Sequence, residues 1–125
     1  MKRITTWINL SSIALMILGL IHLTAIIIVA PMYKNLSAEQ FSVFVFMYMA
    51  SGLGTVLPGL IANFQINALK NKSEIAWKTL LLCSGYTIIV GIGAVIEMTD
   101  NPFTYIMLVT GILLLTPSVL IKKYF

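Results

Sequence analysis

The chain has 125 residues, 59% hydrophobic and 10% charged, with a formal net charge of +4 and a mean hydropathy of +0.99. Soluble domains are near half apolar and about a quarter charged, so an ordinary soluble domain is excluded. A membrane-crossing helix needs about 20 apolar residues, which leaves room for four spans on short connections. The expected fold is all-α, a single integral membrane domain over residues 1–125, built as an antiparallel four-transmembrane-helix bundle.

The first apolar run covers about residues 4–30, interrupted only by small or moderately polar residues and by His22. Met1-Lys2-Arg3 ahead of it resembles the start of a secretory signal. The run, however, exceeds the roughly 7–15 residues of a signal core, and Pro31 follows it where a cleaved product would begin, so a retained signal anchor is expected. The second span is expected over 38–65. Ser37-Ala38-Glu39-Gln40 has capping-box spacing at its start, and a helical extension toward Lys70 is expected at its end. The third span is expected over 75–97, with Ser73 as its cap. The fourth is expected over 102–121, opened by Asn101-Pro102, because proline at the first helical position sacrifices no intrahelical bond.

The four spans divide the charges unequally. Lys2, Arg3, Lys70, Lys72, Lys78, Lys122 and Lys123 fall on one side with Glu74, and Lys34 falls on the other with Glu39, Glu97 and Asp100. Seven basic residues against one predicts both termini and the central loop in the cytoplasm. Trp7, Trp77 and Tyr124 at one set of ends, and Tyr33, Phe103 and Tyr105 at the other, suit the two headgroup levels. Much of the net positive charge is thus an orientation signal, and no basic block or recognition motif points to nucleic acid. A cell membrane is the expected location, and the short loops suit a bacterial inner membrane. The single cysteine, Cys83, excludes an intrachain disulfide and a cysteine metal motif.

His22 is the sharpest functional candidate. It lies about eight residues, or roughly 12 Å of helix rise, from the end of the first span, and an ionisable group at that depth is a functional-site hypothesis by default. It shares a helical face with Ser12, Leu15, Gly19, Ala25 and Ile26, small enough for another helix to approach. It could relay protons or ligate a metal or haem. The plainer expectation is a histidine hydrogen-bonded to a neighbouring helix through Tyr48, Ser51 or Thr110. Tyr48 and Tyr86 are the other polar groups placed deep in spans, and with His22 they form the candidate ligand or proton-relay set.

In the second span Ser51, Thr55, Gly59, Asn63 and Asn67 recur every four residues, flanked by Gly52, Gly54 and Pro58. This strip permits close backbone approach, while Pro58 removes a helix hydrogen bond, frees the Gly54 carbonyl and predicts a kink. Interrupted helices can carry binding sites in transporters, but helix packing around a static kink is the simpler expectation. Asn63, Gln65 and Asn67 are expected at the cytoplasmic interface. The third span carries Ser84, Thr87, Gly91 and Ala94 on one face and Gly85 and Gly93 on an adjoining one, which predicts a tight bundle.

No phosphate loop, HExxH helix or GxSxG elbow occurs, and Glu97 and Asp100 are too few for a cation cage. No cofactor, metal site or catalytic residue is therefore predicted. An accessory, scaffold or interaction subunit is expected, partnered by the lipid bilayer and by copies of itself or other membrane proteins. One alternative is a small oligomeric transporter or channel using His22 and the second helix. Size and span number are similar to those of small multidrug-resistance transporters, a likeness of fold alone, since that family relies on an acidic residue in its first helix where this chain has His22 and no acid. A quinone-associated or haem-associated membrane subunit is the other alternative.

Overall fold

The computed structural model describes all 125 residues and contains four helices long and apolar enough to cross a membrane, with no strand. Helix α1 spans Lys2–Val29 and runs on as a 3-10 turn over Ala30–Tyr33. Pro31 has no N–H to give the Ile27 carbonyl, and the α-helical pattern stops two residues before it. Helix α2 spans Ala38–Phe64. Both halves of its capping box form: Ser37 Oγ accepts from the Gln40 amide at 3.2 Å, and Gln40 Oε1 accepts from the Ser37 amide at 3.1 Å.

The expected extension to Lys70 is helical but separate. A turn at Gln65 ends α2, and α3 occupies Ile66–Lys70. The α2 pattern passes through Pro58 without interruption, as the expected span requires, and the break comes seven residues later. The turn after α3 is tight. Lys72 takes φ 58°, its amide bonds the Leu69 carbonyl, and the Ser73 amide bonds the Ala68 carbonyl, the paired pattern of a left-handed helix stop. Ser73 then caps α4 (Glu74–Glu97) by accepting from the Ala76 amide. Asn101 caps α5 (Pro102–Leu120) by accepting from the Phe103 amide, and a 3-10 turn over Ile121–Tyr124 ends the chain's helices.

Pairing follows from the inter-helix contacts. Gly59 meets Ser12, and Gly52 meets Leu23, so α1 and α2 run antiparallel; Gly91 meets Leu108 and Gly111 meets Ile88, so α4 and α5 do too. Helix α1 also packs on α5, and α2 on α4, which closes the bundle. All termini and α3 lie at one end with seven of the basic residues, here called the basic end. The α1–α2 and α4–α5 connections lie at the opposite, acidic end.

The interior inverts the usual pattern of a protein in water. Its buried set includes nine serines and threonines, among them Ser12, Thr55, Ser84, Thr87 and Ser118, while Ile27, Ile28, Phe46, Phe64, Leu82 and Ile89 point outward at 69–76% exposure. Small and polar groups inside with large aliphatic groups outside is the arrangement favoured where the surrounding solvent is hydrocarbon, because there helices associate by close packing and hydrogen bonding. Gly19, Gly52 and Gly59 make that packing possible between α1 and α2. A Cβ on Gly19 would stand 2.7 Å from the Val56 amide nitrogen, and one on Gly59 would stand 2.7 Å from the Ser12 carbonyl. Gly91 does the same against the Leu108 backbone, but Gly85 and Gly93, expected to add a second packing stripe, face open space with nothing within 4 Å.

Large apolar groups concentrate in the basic half, where Ile8, Leu15, Ala62, Leu69, Ala76, Leu80, Cys83, Leu114 and Ile121 form one cluster. Polar bonds fasten the same half. Asn63 Nδ2 donates to Asn9 Oδ1 at 2.7 Å and lies 3.3 Å from Ser12 Oγ, so Asn63 joins two helices. Ser11 Oγ donates to the Leu113 carbonyl at 3.1 Å. That carbonyl is the one that Pro117, four residues on, leaves without its helical donor, so a hydroxyl from α1 replaces the missing amide. Trp77 Nε1 donates to the Ser118 carbonyl at 3.0 Å, and Lys122 Nζ lies 3.9 Å above the Trp77 ring and 3.7 Å from Glu74.

Candidate functional site

The acidic half is built differently. At its centre the His22 ring stacks on Tyr48, with ring centroids 4.1 Å apart and planes 12° from parallel, and meets the edge of Phe103 at 6.5 Å. Positions 22 and 48 meet because α1 and α2 run antiparallel with glycines holding them close. Phe103 arrives on the first turn of α5, placed by the Asn101-Pro102 start. Tyr33, on the turn after α1, stacks on Phe44 at 4.5 Å, and Phe44 in turn lies 5.8 Å from Tyr48. Offset and edge contacts at these spacings are favourable for aromatic rings, each contributing about 0.5–1.5 kcal/mol beyond buried area.

Two hollows meet at His22. The larger is a cleft of about 640 Å³ lined by His22, Tyr33, Phe44 and Tyr48 with Met32, Met47 and Met98. The smaller, about 40 Å³, lies deeper and is edged by Ser51, Thr55, Asn101 and Thr104. His22, Ser51, Met98, Asn101 and Phe103 border both. No charged side chain lines either. The hydrogen-bond ledger there is incomplete in one place: Thr55 and Thr104 give their hydroxyl protons to the carbonyls of Ser51 and Asn101, but His22 Nε2 is buried without a partner.

His22 meets the neighbouring helix at Tyr48, one of the partners expected for it. Its contact with Tyr48 is a ring stack, and Thr110 gives its hydroxyl to the Ile106 carbonyl within its own helix. Of the candidate set, His22 and Tyr48 come together and Ser51 and Thr55 border the same space. Tyr86 does not join them. It lies on the seam between α2 and α4, where a Cβ on Gly54 would be 2.8 Å from its hydroxyl, beside Pro58 and Cys83. Gly19, Gly59 and Gly91 serve the helix contacts described above. Sequence reasoning missed Asn101, Met98 and Phe44 as lining groups. Asn101-Pro102-Phe103 was legible as a helix start, but the fold of that connection over His22 was not.

Comparison with protein-family models, curated proteins and solved structures returns no match. The functional reading accordingly rests on this chain's own residues.

Proposed function

We propose that the chain is an integral cell-membrane protein with four spans and both termini in the cytoplasm, acting as a binding or accessory subunit through the cleft at its acidic end. The outward aliphatic surface supports insertion, and the seven-to-one division of basic residues supports the orientation. One observation carries the choice of binding over transport. The cleft around His22 lies in the acidic half, while the basic half holds the apolar cluster and is tied by Asn9–Asn63, Ser11–Leu113 and Trp77–Ser118. A transporter with a central site needs two halves that rock around it; here three hydrogen bonds hold the helices together at the basic end.

Two measurements test this. In intact cells, cysteines introduced at Asn35 and Asp100 are expected to react with a membrane-impermeant maleimide, and one at Asn71 only after lysis; protection at 100 overturns the topology. In proteoliposomes, no proton or solute flux dependent on His22 is expected. A flux that His22→Phe abolishes would establish transport instead.

A further inference from the structure

The basic end has a hollow of its own, sharing no residue with the cleft around His22. This groove of about 300 Å³ runs between α1 and α5, bordered by Arg3 and Trp7 on one side and by Leu113, Pro117 and Leu120 on the other. It is graded along its length. Arg3 and Leu120 stand at the end of the bundle, and Leu113 lies seven residues, or about 10 Å of helix rise, deeper. Its walls are open to an occupant: Arg3 is exposed, Trp7 is 58% exposed, Leu113 45% and Leu120 49%. The deep wall asks nothing polar of that occupant. Pro117 leaves the Leu113 carbonyl without an amide, but Ser11 supplies the bond from inside the bundle, and Thr116 gives its hydroxyl proton to the Ile112 carbonyl at 2.9 Å. The mouth, in contrast, is cationic and unmatched. Both ion pairs of the chain end on Glu74, from Lys78 and Lys122, and Lys123 lies over the Tyr124 ring, while Arg3 has no carboxylate partner.

We propose that this groove holds an anionic phospholipid from the leaflet at the basic end, its phosphate on the Arg3 guanidinium and an acyl chain laid along Trp7, Leu113 and Leu120. The guanidinium fork matches phosphate oxygens, indole rings favour the headgroup level, and basic pockets between membrane helices are a recurrent setting for anionic headgroups. A zwitterionic lipid can cover the same wall, but it carries its own cation beside the phosphate, so Arg3 attracts it less. A water-soluble anion gains nothing from the aliphatic wall. The assignment rests on membrane insertion as proposed above and is independent of the cleft.

The full chain is reconstituted in phosphatidylcholine vesicles containing a small fraction of dibrominated phosphatidylglycerol or, in a matched set, of dibrominated phosphatidylcholine. Bromine quenches an indole on contact, and Trp77→Phe leaves Trp7, in the groove wall, as the only tryptophan. Phosphatidylglycerol is expected to bind about fivefold tighter, the contribution of one basic side chain near a membrane surface. Arg3→Gln is expected to bring the two lipids to parity, while Lys2→Gln, one position away and outside the groove, keeps the preference. Equal quenching by the two lipids overturns the assignment, and a preference that survives Arg3→Gln removes Arg3 from the contact. Equal losses in Arg3→Gln and Lys2→Gln overturn the site and leave only the general charge of the basic end. Resistance to alkaline carbonate extraction is read on the same vesicles. Release of the chain overturns the insertion reading itself, whereas an inserted chain quenched by neither lipid overturns only the groove as a lipid site. Should Trp77→Phe fail to fold without its bond to Ser118, the native chain is released from vesicles of equal phosphatidylglycerol and phosphatidylcholine and weighed intact by mass spectrometry. Phosphatidylglycerol retained in excess supports the assignment, and equal retention overturns it.

Discussion

Gly59→Ala adds one methyl where α1 and α2 touch backbone to backbone. The new Cβ would lie 2.7 Å from the Ser12 carbonyl oxygen and 3.0 Å from the Met16 amide nitrogen, whereas ordinary contact begins near 3.4 Å. Neither neighbour is the tip of a flexible side chain, so relief requires the helices to part by about 0.7 Å at this point. Overpacking of this kind costs about 1–3 kcal/mol, against which alanine's better helix propensity returns at most about 1 kcal/mol. A net loss of about 1–2 kcal/mol is expected, or a tenfold shift in the unfolding equilibrium for each 1.4 kcal/mol. Gly85→Ala is the matched control, since nothing lies within 4 Å of its Cβ, and it is expected to be neutral or slightly stabilising. Unfolding by sodium dodecyl sulfate in mixed micelles, followed by tryptophan fluorescence and circular dichroism, measures both. If Gly59→Ala unfolds at the same detergent fraction as Gly85→Ala, α1 and α2 do not approach as described.

Three further outcomes follow from the same contacts. Ser11→Ala strands the Leu113 carbonyl and is expected to cost about 1–2 kcal/mol; in a Pro117→Ala background residue 117 regains its N–H, so the cost should fall toward zero, and a double-mutant cycle with no coupling would refute the replacement. Asn63→Ala is expected to cost about 0.6–1.7 kcal/mol, the range of hydrogen bonds between membrane helices, and to be non-additive with Asn9→Ala, because both remove one bond. Lys72→Gly is expected to stabilise by about 0.5–1 kcal/mol, because glycine adopts the left-handed turn at position 72 without a Cβ penalty; a destabilised variant would count against that turn.

What was legible in the sequence was whatever depends on neighbours along the chain. Apolar run length located the four helices, and Ser37, Ser73 and Asn101 marked their starts because a cap acts on an amide two or three residues away. Pro58 does not interrupt α2. Losing one amide does not stop a helix whose flanks are packed, whereas Gln65 ends α2 between two helical stretches without any proline. Long-range pairing was harder to read. Asn9 and Asn63 sit 54 positions apart, and each alone looks like an interfacial residue; only antiparallel register makes them partners. The same holds for Ser11 and Pro117, since a proline's freed carbonyl is visible in sequence but its replacement donor is not. Gly85 and Gly93 illustrate the opposite failure. A small-residue stripe records that a helix could approach, and it takes the bundle's geometry to reveal that none does.

The bundle's two halves have separate physical tasks. Three hydrogen bonds between helices and the cluster of buried aliphatic groups lie in the basic half, so stability should respond strongly to residues such as Asn9, Ser11, Asn63 and Trp77. The acidic half contributes stacking and close glycine contacts and leaves one buried nitrogen without a partner. An unmet polar atom away from water is costly in proportion to how completely it is desolvated, and Nε2 of His22 is such an atom. Phenylalanine at position 22 would remove that cost while keeping the stack, so His22→Phe should be at least as stable as the native chain. A native histidine that is less stable than its apolar replacement is the signature of a residue retained for what it binds, and it separates the cleft from the fastened half that supports it.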